Sequence, residues 1–218
     1  MTHTPEPSIA PVAVKPEQVP VPALPYSFKT TLSEYRKRLG VPRILIAFAI
    51  TFLFWLRWGP VVWLVSVIFL AAILGGILYW MASRRVTVQE DGFEFSGWLS
   101  RKRTVAYSQI EGVKVFINFL DAGFGVSPRV SIAVKDAASI NLSGLYWNID
   151  DLDKLLAVLN SKKVAIEYYD DIVQYGAIAA QFPQYASYVE RHTGRVAFIV
   201  IIAIIVIVGG IATLITLS

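Results

Sequence analysis

The residues with the clearest chemical potential are cationic. Arg101-Lys102-Arg103 forms a basic turn, and Arg84-Arg85 precedes it by one hairpin. Clustered guanidinium and ammonium groups suit contact with an anionic ligand or leaflet, where each charge adds about 1 kcal/mol of attraction. Arg84, Arg85, Arg101, Lys102 and Arg103 are therefore the candidate membrane or ligand contacts. A solvated hairpin tip that discourages pairing at a sheet edge would carry the same charges. Asp150, Asp151 and Asp153 also cluster, but they stand where a helix start favours acidic groups. No catalytic set is written in the chain. The two histidines, His3 and His192, lie far apart, and no His-Glu-x-x-His pattern occurs. Gly123-Phe124-Gly125 runs into Val126-Ser127-Pro128 and not into a helix start, so it reads as a loop and not a nucleotide cradle. With no cysteine, thiol nucleophiles, disulfides and Cys-based metal sites are excluded. The expectation is a chain that is not an enzyme and holds no cofactor or metal.

The elements that would position the basic residues lie in Arg84–Lys163. Val86 and Val88 alternate with polar neighbours, as in a strand with one buried face. Asp91-Gly92 predicts a tight turn, and Phe93 and Phe95 resume the alternation. Thr104–Tyr107 and Ile110–Phe119 read as two more strands, Asp121–Pro128 as a loop. Val130, Ile132 and Val134, then Ile140 and Leu142, give the last two. Strands at this spacing predict an antiparallel sheet curled on itself. A helix follows. Asn148 is a good N-cap, and Ile149, Leu152, Leu155, Leu156 and Leu159 make one apolar stripe. Lys162 and Lys163 suit its negative end.

The runs Val86-Thr-Val-Gln-Glu-Asp-Gly92-Phe93, Arg103-Thr-Val-Ala-Tyr-Ser-Gln-Ile110-Glu-Gly-Val113 and Asp150-Asp-Leu-Asp-Lys-Leu-Leu156 resemble the bacterial pleckstrin-homology-like (PH-like) domains of small multi-span membrane proteins. The resemblance covers residues 84–163. It implies a PH-like antiparallel β-barrel capped by a C-terminal α-helix, with a binding role and no activity of its own. The first hairpin departs from phosphoinositide-binding members, because its turn is Glu90-Asp91-Gly92 and carries no basic residue.

Beyond that region the chain is strongly apolar. Hydrophobic residues make up 55% and charged residues 17% of 218, and the mean hydropathy is +0.55. These values point to a membrane protein. Residues 1–26 hold seven of the eleven prolines and predict a disordered tail. Residues 27–40, with Phe28, Leu32, Tyr35 and Leu39 on one side and Arg36, Lys37 and Arg38 near the end, predict an interfacial amphipathic helix. Residues 41–83 read as a transmembrane hairpin, Ile44–Leu56 and Val61–Ala82, turning at Gly59-Pro60 between interfacial tryptophans. Residues 164–195 read as a helical connector, and 196–218 as a third span. Of 20 Lys and Arg, only Arg57 falls on the hairpin's turn side, so the positive-inside rule sets the N-terminus and barrel in the cytoplasm. The fold class expected is thus an α+β membrane protein of three spans in a bacterial plasma membrane.

Its net charge of +4 is read as cytoplasmic loops and not as nucleic-acid binding. The partners expected are the lipid bilayer and a membrane protein or a second copy. The function expected is a membrane-anchored module whose barrel binds protein segments, itself or lipid headgroups. The alternative is an auxiliary subunit docking through its spans on a membrane enzyme or transporter.

Overall fold

The computed structural model describes residues 9–12, 19–31, 82–96, 102–121 and 125–192, with separate positions between 49 and 79 and between 195 and 202. Two four-stranded sheets form the framework. Sheet one holds β1 (Tyr26–Lys29), β2 (Arg85–Val88), β3 (Gly92–Ser96) and β4 (Lys102–Ala106) in that order, all antiparallel. Sheet two holds β5 (Ile110–Asp121), β6 (Gly125–Val134), β7 (Ala137–Ser143) and β8 (Ile166–Val173), in the order β7-β6-β5-β8. β8 lies parallel to β5, and the other pairs are antiparallel.

Helix α1 (Ile149–Ser161) starts at Asn148, whose side chain accepts from the Asp150 N–H at 3.2 Å. Leu152, Leu155, Leu156 and Leu159 are buried on one stripe, while Ile149 is exposed. That stripe, the inner face of sheet one (Phe28, Val86, Val88, Phe93, Val105) and the inner face of sheet two (Val113, Val115, Val130, Ile132) make one apolar cluster. Phe95 joins it only partly buried. Gly92 opens β3 without a positive φ. A Cβ there would sit 2.2 Å from the Val105 carbonyl oxygen, so close strand approach and not turn geometry requires the glycine.

Several expectations are corrected. Among the described residues no closed β-barrel forms. The 3-10 turn Tyr107–Gln109 separates β4 from β5, and the second edge of β5 is taken by β8, so the hydrogen-bond ladder cannot run on from sheet to sheet. The helix expected over 27–40 is replaced at its start by β1, which pairs with β2 and buries Phe28; residues 32–40 lie outside the described residues. The connector expected to be helical contributes β8, whose Tyr169 and Val173 are buried.

The expected membrane protein of three spans, with its assigned orientation and plasma-membrane location, is overturned as well. Among the described residues no helix is long and apolar enough to cross a membrane. The longest continuous described helix is α1 at 13 residues, about 20 Å at 1.5 Å per residue against the roughly 30 Å of a hydrocarbon core. It is also amphipathic. Apolar composition supplies hydropathy but not a continuous helix, and a span needs both. Most of 44–56 and 196–217, and scattered positions through 61–82, lie outside the described residues.

Candidate functional site

The basic residues expected to act together are only partly brought together. Arg85 and Lys102 both stand opposite Ser96, and Lys29 stands opposite Arg85, so Lys29, Arg85 and Lys102 share one row on the outward face of sheet one. Lys102 is paired there with Glu94 at 3.1 Å. Arg103 points the other way. It stands opposite Phe95 and donates from Nη1 to the Ala138 carbonyl at 2.6 Å, tying β4 to β7. Burial lowers the pKa of its guanidinium. Arg84 is half-buried, and burial lowers its pKa too. Arg101 lies outside the described residues. Asp150 and Asp151 begin α1 as expected, and Asp151 accepts from the Tyr26 hydroxyl. Burial, then that hydrogen bond, pushes the Tyr26 phenol up to about 12.

A second polar centre lies on the outer face of sheet two, where sequence reasoning placed nothing. In a regular strand, Phe116 and Phe119 would point to opposite faces. A register shift between them restores both to one face, where they meet Tyr169 and Val173 of β8. Short helices α2 (Tyr175–Gln181) and α3 (Tyr188–Arg191), with the 3-10 turn Pro183–Tyr185 between them, cover this face and add Ile178, Tyr185 and Ala186 to its cluster.

Two cations are sealed beneath that cover. Lys114 Nζ bonds the Glu167 carboxylate and lies 2.5 Å from the Tyr169 hydroxyl. The rings of Phe182, Tyr169 and Tyr185 stand 4.4, 4.8 and 5.0 Å from it. The hydrogen bond from Lys114 holds Glu167 below its usual range. Arg129 makes a two-pronged pair with Glu190 at 2.5 and 2.8 Å, donates from Nε to Ser131 at 3.1 Å, and lies 4.7 Å from the Phe119 ring. Burial works to raise Glu190, but the bonds from Arg129 and Ser187 outweigh it and leave the carboxyl below its ordinary value. Asp121 accepts from Ser143 at 2.9 Å, Ser127 at 3.3 Å and the Tyr175 hydroxyl. Burial first, then that bond, raises the Tyr175 phenol. The two buried cations each have a carboxylate partner: Lys114 bonds Glu167, which is half exposed, and Arg129 bonds Glu190, which is nearly buried. The arrangement is a clasp that holds the 175–191 segment on the sheet, not an open reaction centre.

An open groove lies at the other edge. Between α1 and the β5–β8 edge runs a groove of about 1000 Å³. Ile149 and Leu156 line it from the helix, Val115 and Ile117 from β5, and Ile166 and Tyr168 from β8. The N-terminal segment lies over it, with Pro11, Val12, Val19 and Val21 also among the lining residues. The Val12 N–H donates to the Tyr168 carbonyl at 2.8 Å in an antiparallel bridge. The Ile9 N–H donates to Gln181 Oε1 at 3.3 Å, and Ile9 packs against the outer cluster. This part of the proline-rich tail is therefore seated, not free. Its sequence signal was the set of β-branched residues between prolines, which extended backbone at a sheet edge accepts. For Glu190 the signal was Ser187-Tyr-Val-Glu190, a capping box that the structure realises at the start of α3.

No protein-family model, no curated protein and no solved structure matches the chain. Among the described residues no group of three or more His, Cys, Asp or Glu could hold a metal ion.

Proposed function

We propose that this chain is a PH-like interaction module whose α1–β8 groove binds an extended segment of protein by strand addition. The observation that carries the reading is the Val12–Tyr168 bridge: a proline-flanked stretch of the chain already pairs with the free edge of β8 over an apolar groove. Exposed sheet edges with a flanking groove recognise peptides in this way, the backbone supplying affinity and the groove side-chain choice. The run of antiparallel strands β2 to β7 followed by α1 supports the PH-like kinship. Binding is favoured over catalysis because the buried cations Lys114 and Arg129 are each engaged by a carboxylate.

The test removes residues 1–22 and adds a synthetic peptide of residues 8–22 in trans. The truncated chain should bind the peptide at least tenfold more tightly than the intact chain, whose own segment competes at high effective concentration. Circular dichroism should show the same strand and helix content in both. Equal, negligible binding to two folded chains would sink the reading.

A further inference from the structure

We propose that a segment bound at the β8 edge also locks the 175–191 cover onto sheet two, and that the groove selects ligands with a large apolar residue three positions before the one that pairs with Tyr168. The inference rests on the segment-binding reading above and names the ligand's chemistry and the consequence of its binding. The chain's own segment sets the pattern. Val12 pairs with Tyr168 through its N–H. Ile9 donates its N–H to Oε1 of Gln181, the last residue of α2, at 3.3 Å. The Ile9 side chain packs, partly buried, against the cluster in which Phe116, Phe119 and Tyr169 of the sheet meet Ile178, Tyr185 and Ala186 of the cover.

One short stretch therefore grips both the strand edge and the cover. Residues 9–12 span at most about 10 Å, so neither contact can move far without disturbing the other. Holding one end raises the effective concentration of the other end at its own site. The coupling is reciprocal: a docked cover favours the bound segment as much as the segment favours a docked cover. The grip lies next to the cover's aromatic contacts. Phe182 follows Gln181, and its ring stands 5.3 Å from that of Tyr169 and 4.4 Å from Lys114 Nζ. The backbone bond at Tyr168 accepts any residue with an N–H, so side-chain choice falls to the Ile9 position, where a large apolar group buries surface. A ligand that pairs with Tyr168 but lacks that group displaces the resident segment and leaves the cover without its strap.

The experiment measures amide hydrogen exchange in the full chain. Val12→Pro removes the N–H that pairs with Tyr168 and detaches one end of the strap. Ile9→Gly, made separately, weakens the other end. Exchange in 175–185 should rise about fivefold in either variant, while β6 keeps its rate. The Val12→Pro chain then receives two synthetic peptides of residues 8–22, one unchanged and one carrying I9G, with affinity read by fluorescence anisotropy. The unchanged peptide should restore slow exchange in the cover. The I9G peptide should bind about fivefold more weakly and leave the cover exchanging fast even at saturation. Ile9→Gly keeps every backbone donor, so that chain serves as a second host should the proline disturb folding. If neither variant alters exchange in the cover, or if both peptides bind and slow it equally, the coupling is wrong and segment binding stands. If neither peptide binds either host, the groove reading falls and the ligand rule falls with it.

Discussion

In sheet one, core and water alternate along each strand. Val86 and Val88 are buried, while Arg85 between β1 and β3 is exposed and Thr87 half-buried. Sheet two has no such division. Val113 and Val115 face the inner cluster, Lys114 and Phe116 the outer one, and all four are buried. Sheet one needs one apolar layer against it, whereas sheet two is the middle of three layers. The same kind of residue therefore has different consequences on the two. A cation on sheet one's outer face, Lys102, keeps its hydration and pairs loosely with Glu94. A cation on sheet two's outer face, Arg129, has lost its water and depends on Glu190.

The largest expected effect comes from breaking that buried pair. Glu190→Ala leaves Arg129 buried and unpaired and should cost about 3–5 kcal/mol in chemical denaturation of the intact chain. A loss below about 1 kcal/mol would show that the 175–191 cover is not docked on sheet two. The pair also predicts a pH dependence. The folded pKa of Glu190 is depressed. Its contribution is therefore fully present above the unfolded carboxyl range and is lost as pH falls through the folded value. Glu190→Gln should flatten the acid limb of the stability profile, and an unchanged limb would assign acid unfolding to other groups.

A smaller effect tests how closely the cover sits. A Cβ at Gly112 would lie 2.7 Å from the Tyr185 hydroxyl oxygen. Gly112→Ala should push Tyr185 outward and cost about 1–3 kcal/mol, as overpacking does. Tyrosine emission and the denaturation midpoint would report it together. The smallest effect belongs to sheet one. Lys102→Ser removes an exposed ion pair and should change stability by less than about 1 kcal/mol, vanishing in high salt. A loss as large as that of Glu190→Ala would erase the contrast between the two sheets.

Much of this architecture is legible in the sequence because it is local. Val86, Val88, Phe93 and the Leu152–Leu159 stripe announce their elements through period alone, and Asn148 announces the start of α1. The outer face of sheet two is not legible in that way. Ser127, Arg129 and Ser131 alternate with Val130 and Ile132 and read as a solvent face, yet all three are buried. Nothing local says that a segment sixty residues on will cover them. β8 is hidden for a related reason: Tyr168-Tyr169-Asp170-Asp171 has no clean alternation, because one edge, one face and a register shift each set different demands on it. Apolar runs likewise predicted spans from composition, whereas a span is a property of a continuous helix.

What the sequence by itself determined is the set of elements with a single environment: strands β2 to β4 of sheet one, the inner face of sheet two and α1. Each follows from short-range periodicity and capping, which depend on residues within one or two turns or strand repeats. What only the tertiary structure decided is which surfaces become covered. The seating of Val12 on β8, the docking of Glu190 on Arg129 and the opening of a would-be barrel into two sheets all depend on partners distant in sequence. Their free energy arises from desolvation and shape at contacts that no local pattern encodes.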